Sequence, residues 1–271
     1  MESVSATTSS DLLSRRFAEL RADGRRALVA YLTAGHPDVE RSVALLQGVA
    51  TAGADVIEVG VPFSDPLADG PVIQASSQMA LDAGMTFDGV LDVIRRAAVD
   101  VPIVLFSYLN PLIAAGPDAL RRAADAGVHG VLVTDLPVGA DPAREAWLGE
   151  SPLAFVRLVA PTTPSERMAE IARHGRGFVY LISRMGVTGA RAELPPELPA
   201  TIARLRAATS LPICVGFGIS TAEQATAVAT HADGVVVGSA LVRAAGESVE
   251  AAVALTRALR SGIDAAPAHA R

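Results

Sequence analysis

Eight short, nearly continuous apolar runs recur along the chain: ALVAYL (27–32), VIEVG (56–60), IVLFSY (103–108), GVLVTD (130–135), AFVRLV (154–159), FVYLIS (178–183), PICVGF (212–217) and GVVVGS (234–239). Runs of this kind suit strands buried on both faces. Between them lie amphipathic stretches such as ERSVALLQGVATAG, FDGVLDVIRRAAV, DALRRAADAG, SERMAEIARHG and AEQATAVAT. Several start at an Asp, Ser or Thr cap and stop at Gly. Eight β/α units predict an α/β fold, a closed (β/α)8 TIM barrel, because closure with an outer ring of helices covers both sheet faces. An open doubly wound sheet is the alternative. TAGADVIEVG (51–60), DAGVHGVLVTD (125–135) and ATHADGVVVGS (229–239) echo one another, each a helix end, a short turn and a strand. An extra N-terminal helix, DLLSRRFAELRADG (11–24), is expected to cover the barrel bottom.

A length of 271 residues suits one such barrel, expected over 11–262 with a C-terminal tail at 263–271. The polar opening MESVSATTSS (1–10) reads as a disordered lead-in without the charged-then-apolar order of a signal peptide. The longest apolar runs fall far short of the ~20 residues of a membrane span. A net charge of −6 argues against nucleic acid and anionic membranes as partners. Cys214, the single cysteine, excludes an internal disulfide and reads as a buried strand thiol, in keeping with a cytoplasmic protein. All 23 basic residues are arginine. A chain without lysine has no Schiff-base chemistry and no covalent pyridoxal phosphate site. Any bound phosphate must therefore be held by backbone N–H groups, hydroxyls or arginine.

Barrel active sites lie at the C-terminal ends of the strands. Glu58 interrupts the apolar second strand, and Asp65 and Asp69 follow in the turn-rich loop PFSDPLADGP. A buried carboxyl is costly unless it is paired or used. Glu58 is thus either one half of an ion pair with arginine or a working acid, and Asp69 can fold back over the mouth beside it. VGFGIS (215–220) and VVGSA (236–240) follow strands seven and eight, the usual phosphate position of such barrels. Gly216 and Gly218 lack the third glycine of a dinucleotide fingerprint. SRMGVTGARAEL (183–194) is either an ordinary loop or a lid, and Tyr180 either faces the mouth or fills the core. His36, His129, His174, His231 and His269 form no metal-binding spacing, so no metal site is expected.

With these residues in hand, the chain closely resembles the tryptophan synthase alpha subunit family from about Arg15 to about Leu259. The most specific match is IEVGVPFSDPLADGPVIQ (57–74), supported by YLTAGHP (31–37), HGVLVTDLP (129–137), YLISRMGVTGAR (180–191), VGFGIS and VVGSALV (236–242). The resemblance implies cleavage of indole-3-glycerol phosphate to indole and glyceraldehyde 3-phosphate, without a cofactor on this chain. It implies Glu58 as general acid/base and Asp69 as second catalytic carboxylate. It implies a substrate and phosphate site at Tyr31, Tyr180, Thr188, Gly189, Phe217, Gly218, Gly238 and Ser239, with Arg184 and Thr188 on a mobile loop. It gives Asp65 and Pro66 to contact with a pyridoxal-phosphate beta subunit in an alpha2-beta2 assembly. His36 and His129 stand where the family often has Asp.

The chemistry suits the residues. With no lysine and no metal ligands, the electron sink for a retro-aldol cleavage must be the protonated indole itself. Glu58, in an apolar strand, is expected to have a raised pKa useful in an acid. Asp69, in a polar loop, is expected to stay ionised. Two other readings remain. Indole-glycerol-phosphate synthase needs a lysine that is absent here. A regulatory subunit that only binds the phosphate ester has no use for both acids.

Overall fold

The computed structural model describes residues 9–182, 195–216 and 218–267. Eight parallel strands close into a barrel in sequence order: β1 (Ala27–Thr33), β2 (Val56–Gly60), β3 (Ile103–Ser107), β4 (Gly130–Val133), β5 (Ala154–Val159), β6 (Val179–Ile182), β7 (Ile213–Gly216) and β8 (Gly234–Val237), with β8 paired to β1. Each expected strand is present, several shorter by one or two residues at an end, as β4, which stops before Thr134 and Asp135, while β1 runs one residue further, to Thr33. The open-sheet alternative is excluded by closure.

Helices ring the barrel. The first half carries α1 (Ser9–Ala22), α2 (Val39–Thr51), α3 (Pro71–Asp82), α4 (Phe87–Ala97), α5 (Leu109–Ala114) and α6 (Ala119–Asp125). The second half carries α7 (Pro142–Gly149), α8 (Ser165–Arg173), α9 (Leu198–Ala208), α10 (Ala222–Ala229), α11 (Ser239–Glu247) and α12 (Val249–Asp264). Local chemistry sets their ends. Asp38 and Thr86 accept the third amide of α2 and α4, and Thr221 with Gln224 makes a reciprocal capping box on α10. The last helix carries on to Asp264, past residue 262.

Strand alternation divides the core in two. Leu28, Ala30 and Leu32 of β1 face the helices, while Ala27, Val29 and Tyr31 face the barrel axis. Helix α1 belongs to the inner cluster. Its Leu13, Phe17 and Leu20 are buried with Val104, Leu132 and Ala154, and the Phe17 ring lies 5.4 Å from that of Phe178. The extra helix therefore plugs the N-terminal mouth, as its apolar spacing predicts.

The three sequence echoes have one physical cause. Asp55, His129 and Asp233 each stand just before a strand and accept a backbone N–H from the neighbouring strand: Leu28 at 2.8 Å, Ile103 at 3.2 Å and Ile213 at 2.9 Å. At the first of these seams the carboxylate does more. Asp55 also receives Arg16 of α1 at 2.5 Å and Arg260 of α12 at 2.7 Å, and Arg260 in turn donates to the Arg26 carbonyl at 3.0 Å. Both Asp55 and Arg260 are buried. Removing one member of a buried, hydrogen-bonded pair leaves the other uncompensated, at a cost of about 3–5 kcal/mol. Asp55→Ala should lose that much in urea unfolding, and a loss below ~1 kcal/mol would show that the cluster adds little.

Candidate active site

The inward residues near the C-terminal mouth change from aliphatic to functional. Tyr31 of β1 stands opposite Glu58 of β2 in the strand register, and both point inward. With Asp69, Tyr180, Gly218, Gly238 and Ser239 they line one cavity of about 810 Å3, counted to its open mouth. Phe106 and Val236 form its apolar wall, and the Phe106 ring meets Tyr31 edge-on at 5.2 Å.

Glu58 is 1% exposed, and among the described residues neither carboxyl oxygen has a hydrogen-bond partner. That removes the ion-pair reading. Burial alone pushes its pKa up to about 8, so the group is a protonated acid at neutral pH. Asp69 closes the cavity from the β2–α3 loop. Its N–H donates to the Pro66 carbonyl at 3.0 Å, and the Gln74 side-chain amide donates to the Asp69 carbonyl at 2.8 Å, which fixes the turn into α3. The expected polar setting for Asp69 is corrected here, since the side chain is buried. Burial raises its pKa to about 6, and a hydrogen bond from Tyr108 partly offsets the rise. The two acids still differ in the expected sense, with Asp69 the more readily ionised.

Glycines of the following strands make room for the two tyrosines. A Cβ on Gly60 would lie 2.1 Å from the Tyr31 hydroxyl, and one on Gly216 would lie 2.1 Å from the Tyr180 hydroxyl. Tyr180 therefore faces the mouth, and burial raises both phenols well above their ordinary range. On the far side, Gly218 takes a left-handed φ of +88°, which favours glycine. Gly238 caps α11 with no side chain to accept the first amides, leaving that helix end suited to an anion.

Asp65 and Leu67 are exposed and Pro66 is half-buried, at the tip of the β2–α3 loop outside the cavity. Arg184, Thr188, Gly189 and Phe217 lie outside the described residues. Sequence reasoning missed Tyr108 and Arg243. Tyr108 continues the inward alternation of Val104 and Phe106, and Arg243 stands one helical turn after Ser239, also lining the cavity. Both positions were readable from those periods. Among the described residues, no group of three His, Cys, Asp or Glu side chains could hold a metal ion.

The glycine–tyrosine contact gives a test. Gly216→Ala should force the Tyr180 ring aside and destabilise the fold by about 1–3 kcal/mol. Adding Tyr180→Phe removes the clashing hydroxyl and should recover part of the loss in thermal unfolding. Strict additivity of the two changes would show that the contact is not what excludes a side chain at Gly216.

Residues 17–265 match the family described as "Tryptophan synthase alpha chain". The tryptophan synthase alpha chain of Gluconacetobacter diazotrophicus is 48% identical over 243 residues, covering 88% of this chain and 89% of that one. That of Geobacter sulfurreducens is 48% identical over 232 residues, covering 84% and 87%. Among solved structures, Mycobacterium tuberculosis tryptophan synthase superposes with a TM-score of 0.86 at 39% identity, covering 93% of this chain and 97% of that chain. Tryptophan synthase subunit alpha of Legionella pneumophila gives 0.85 at 35% identity, covering 96% and 99%. With a matching barrel, a match over nearly its whole length and relatives this similar, the chain belongs to the tryptophan synthase alpha chain family.

Proposed function

We propose that this cavity carries out the lyase reaction of the family, cleaving indole-3-glycerol phosphate to indole and glyceraldehyde 3-phosphate, with Glu58 as the proton donor and acceptor and Asp69 as the carboxylate facing the indole N–H. The observation that carries the reading is the Glu58 carboxyl, buried in the same cavity as Asp69 without a hydrogen-bond partner among the described residues. Glu58 gives its proton to C3 of the indole, which places positive charge on the ring nitrogen. The resulting carboxylate takes the proton of the hydroxyl on the adjoining glycerol carbon. The bond between that carbon and C3 then breaks, its electron pair returning to the ring, and an aldehyde forms. No proton is consumed overall. Asp69, when ionised, stabilises the positive ring through the N–H.

The phosphate end of the substrate suits the backbone at Gly218, Gly238 and Ser239, where α11 begins. The family resemblance adds Gly189 and Phe217 to this site and Arg184 and Thr188 to a loop over it. The exposed Asp65 and half-buried Pro66 suit contact with the beta subunit, which receives the indole. Pyridoxal phosphate belongs to that partner in this reading, and the absence of lysine here supports it. No helix among the described residues is long and apolar enough to cross a membrane. The reading places the assembly in the cytoplasm.

Glu58→Gln keeps size and removes the proton. Indole release should fall by about 10²–10⁴-fold while glyceraldehyde 3-phosphate still binds; near-normal turnover would overturn the assignment. The same variant reports on stability. An acid whose folded pKa is raised gives its full stability below its unfolded value, and loses it as pH rises through the folded one. For Glu58 that window runs from ~4.3 in the unfolded chain to about 8 in the folded one. Glu58→Gln should therefore unfold at higher temperature than the parent at alkaline pH, with the two converging in acid. For the parent, kcat/KM should rise as Asp69 ionises near about 6 and fall as Glu58 ionises near about 8. At the partner face, Asp65→Ala should leave the isolated chain's basal cleavage intact and reduce its activation in a titration with beta subunit. Superimposable titration curves would remove Asp65 from the interface.

A further inference from the structure

The cavity is an acidic place for a substrate that ends in phosphate. Glu58 and Asp69 both line it, and the whole chain carries a net charge of −6. A phosphate monoester brings about −1.5 to −2 more at neutral pH. The start of α11 offers it roughly half a positive charge through its free amides. Most of the ligand's charge is left unanswered by the backbone.

Among the described residues lining the cavity, Arg243 is the one cation. It stands four residues after Ser239, one turn into α11, so the two share a face of the helix. Helical side chains lean toward the N-terminus, and Arg243 lines the cavity together with Gly238 and Ser239. Arg243 is exposed and makes no ion pair or hydrogen bond among the described residues. Other surface arginines, such as Arg96 with Glu40 and Arg206 with Asp233, are paired. Nor does α11 supply a counter-charge of its own. Where α10 and α12 open with Glu223 and Glu250, the first turn of α11 holds no acid and its cap no side-chain acceptor. A cation near a helix start opposes the helix dipole, a local cost that an anion bound there would offset. That the cavity takes a ligand is marked separately by Glu58, whose buried oxygens have no hydrogen-bond partner among the described residues.

We propose that Arg243 reads the phosphate charge: its guanidinium pairs with the outer oxygens of a phosphate seated at Gly238 and Ser239, and so sets the preference for a phosphorylated substrate over its uncharged counterpart. The inference rests on the reading of the phosphate end given above and names the side chain that makes that end specific. The fork of N–H donors on a guanidinium answers two phosphate oxygens at once. Arg243 is at the solvated rim, away from the bond that breaks beside Glu58. Its pull is therefore felt in capture of the substrate, and it weakens with salt.

The test compares indole-3-glycerol phosphate with indole-3-glycerol on the full chain with beta subunit present. Arg243→Gln should raise KM for the phosphorylated substrate about ten-fold at nearly unchanged kcat, as for loss of a hydrogen bond between charged groups at a solvated site. On indole-3-glycerol its kcat/KM should move far less, which a merely structural role would not produce. Arg243→Lys should recover most of the loss and Arg243→Glu should deepen it. Added salt should penalise the parent more than Arg243→Gln. Gly238→Asp, measured alongside, tests the phosphate reading itself, and a Cβ there meets nothing nearer than 3.6 Å. If the parent does not favour the phosphorylated substrate, or Gly238→Asp keeps that preference, the phosphate reading falls and this inference falls with it. If Gly238→Asp loses the preference while Arg243→Gln keeps the parent KM, or loses equally on both substrates, the inference alone is overturned.

Discussion

The carboxylate of Asp55 is where the two ends of the barrel chain are tied together. It receives the Leu28 amide of β1, the Arg16 side chain of α1 and the Arg260 side chain of α12. Strand β1 must stay beside both β2 and β8 for the barrel to remain closed. The helix that plugs the bottom and the helix that finishes the ring are drawn to the same anion. Everything at the other mouth assumes this closure, because the cavity walls come from β1, β2, β3, β6 and β8 together.

Three residues further along the chain sits a second buried carboxyl with the opposite fate. Asp55 is satisfied by an amide and two guanidinium groups, whereas Glu58 has no hydrogen-bond partner for either oxygen among the described residues. Both are almost fully buried. Burial therefore does not separate a structural acid from a working one; satisfaction does. An unpartnered carboxyl in apolar surroundings holds its proton to higher pH and can deliver it to a substrate. The fold accepts the cost of Glu58 because the rest of the inner cluster is apolar and closely packed.

Much of this is legible in the sequence. The period of apolar runs specified eight strands, and the break in that pattern at Glu58 marked the acid. The pairing state of Glu58 was not readable, since an arginine partner would come from a distant strand and leaves no local mark. The setting of Asp69 was misjudged for a related reason. A loop rich in Pro, Gly and Asp is polar by composition, yet this one folds inward under Tyr108 and buries its last acid. Tyr108 itself lay in plain view, two residues beyond Phe106 on the inward-facing alternation. The sequence places it inside the third run without a role, because alternation says which face a residue takes and not which loop atoms it meets.

The seams between strands also differ in a way that matters outside catalysis. At two of them the acceptor for the neighbouring amide is an aspartate, and at the third it is the half-buried His129 through Nδ1. An aspartate that gains a proton keeps a carbonyl oxygen able to accept, but an imidazolium has no lone pair left. Burial holds the His129 pKa below its usual value, so the seam stays intact until the medium is moderately acidic. The stability from neutral His129 is thus present above the unfolded pKa and is lost as pH falls through the folded one. On acidification the barrel has a built-in weak point between β3 and β4, on the side from which Tyr108 projects. Amide exchange at Ile103 would be the first barrel signal to quicken there, ahead of Leu28 and Ile213.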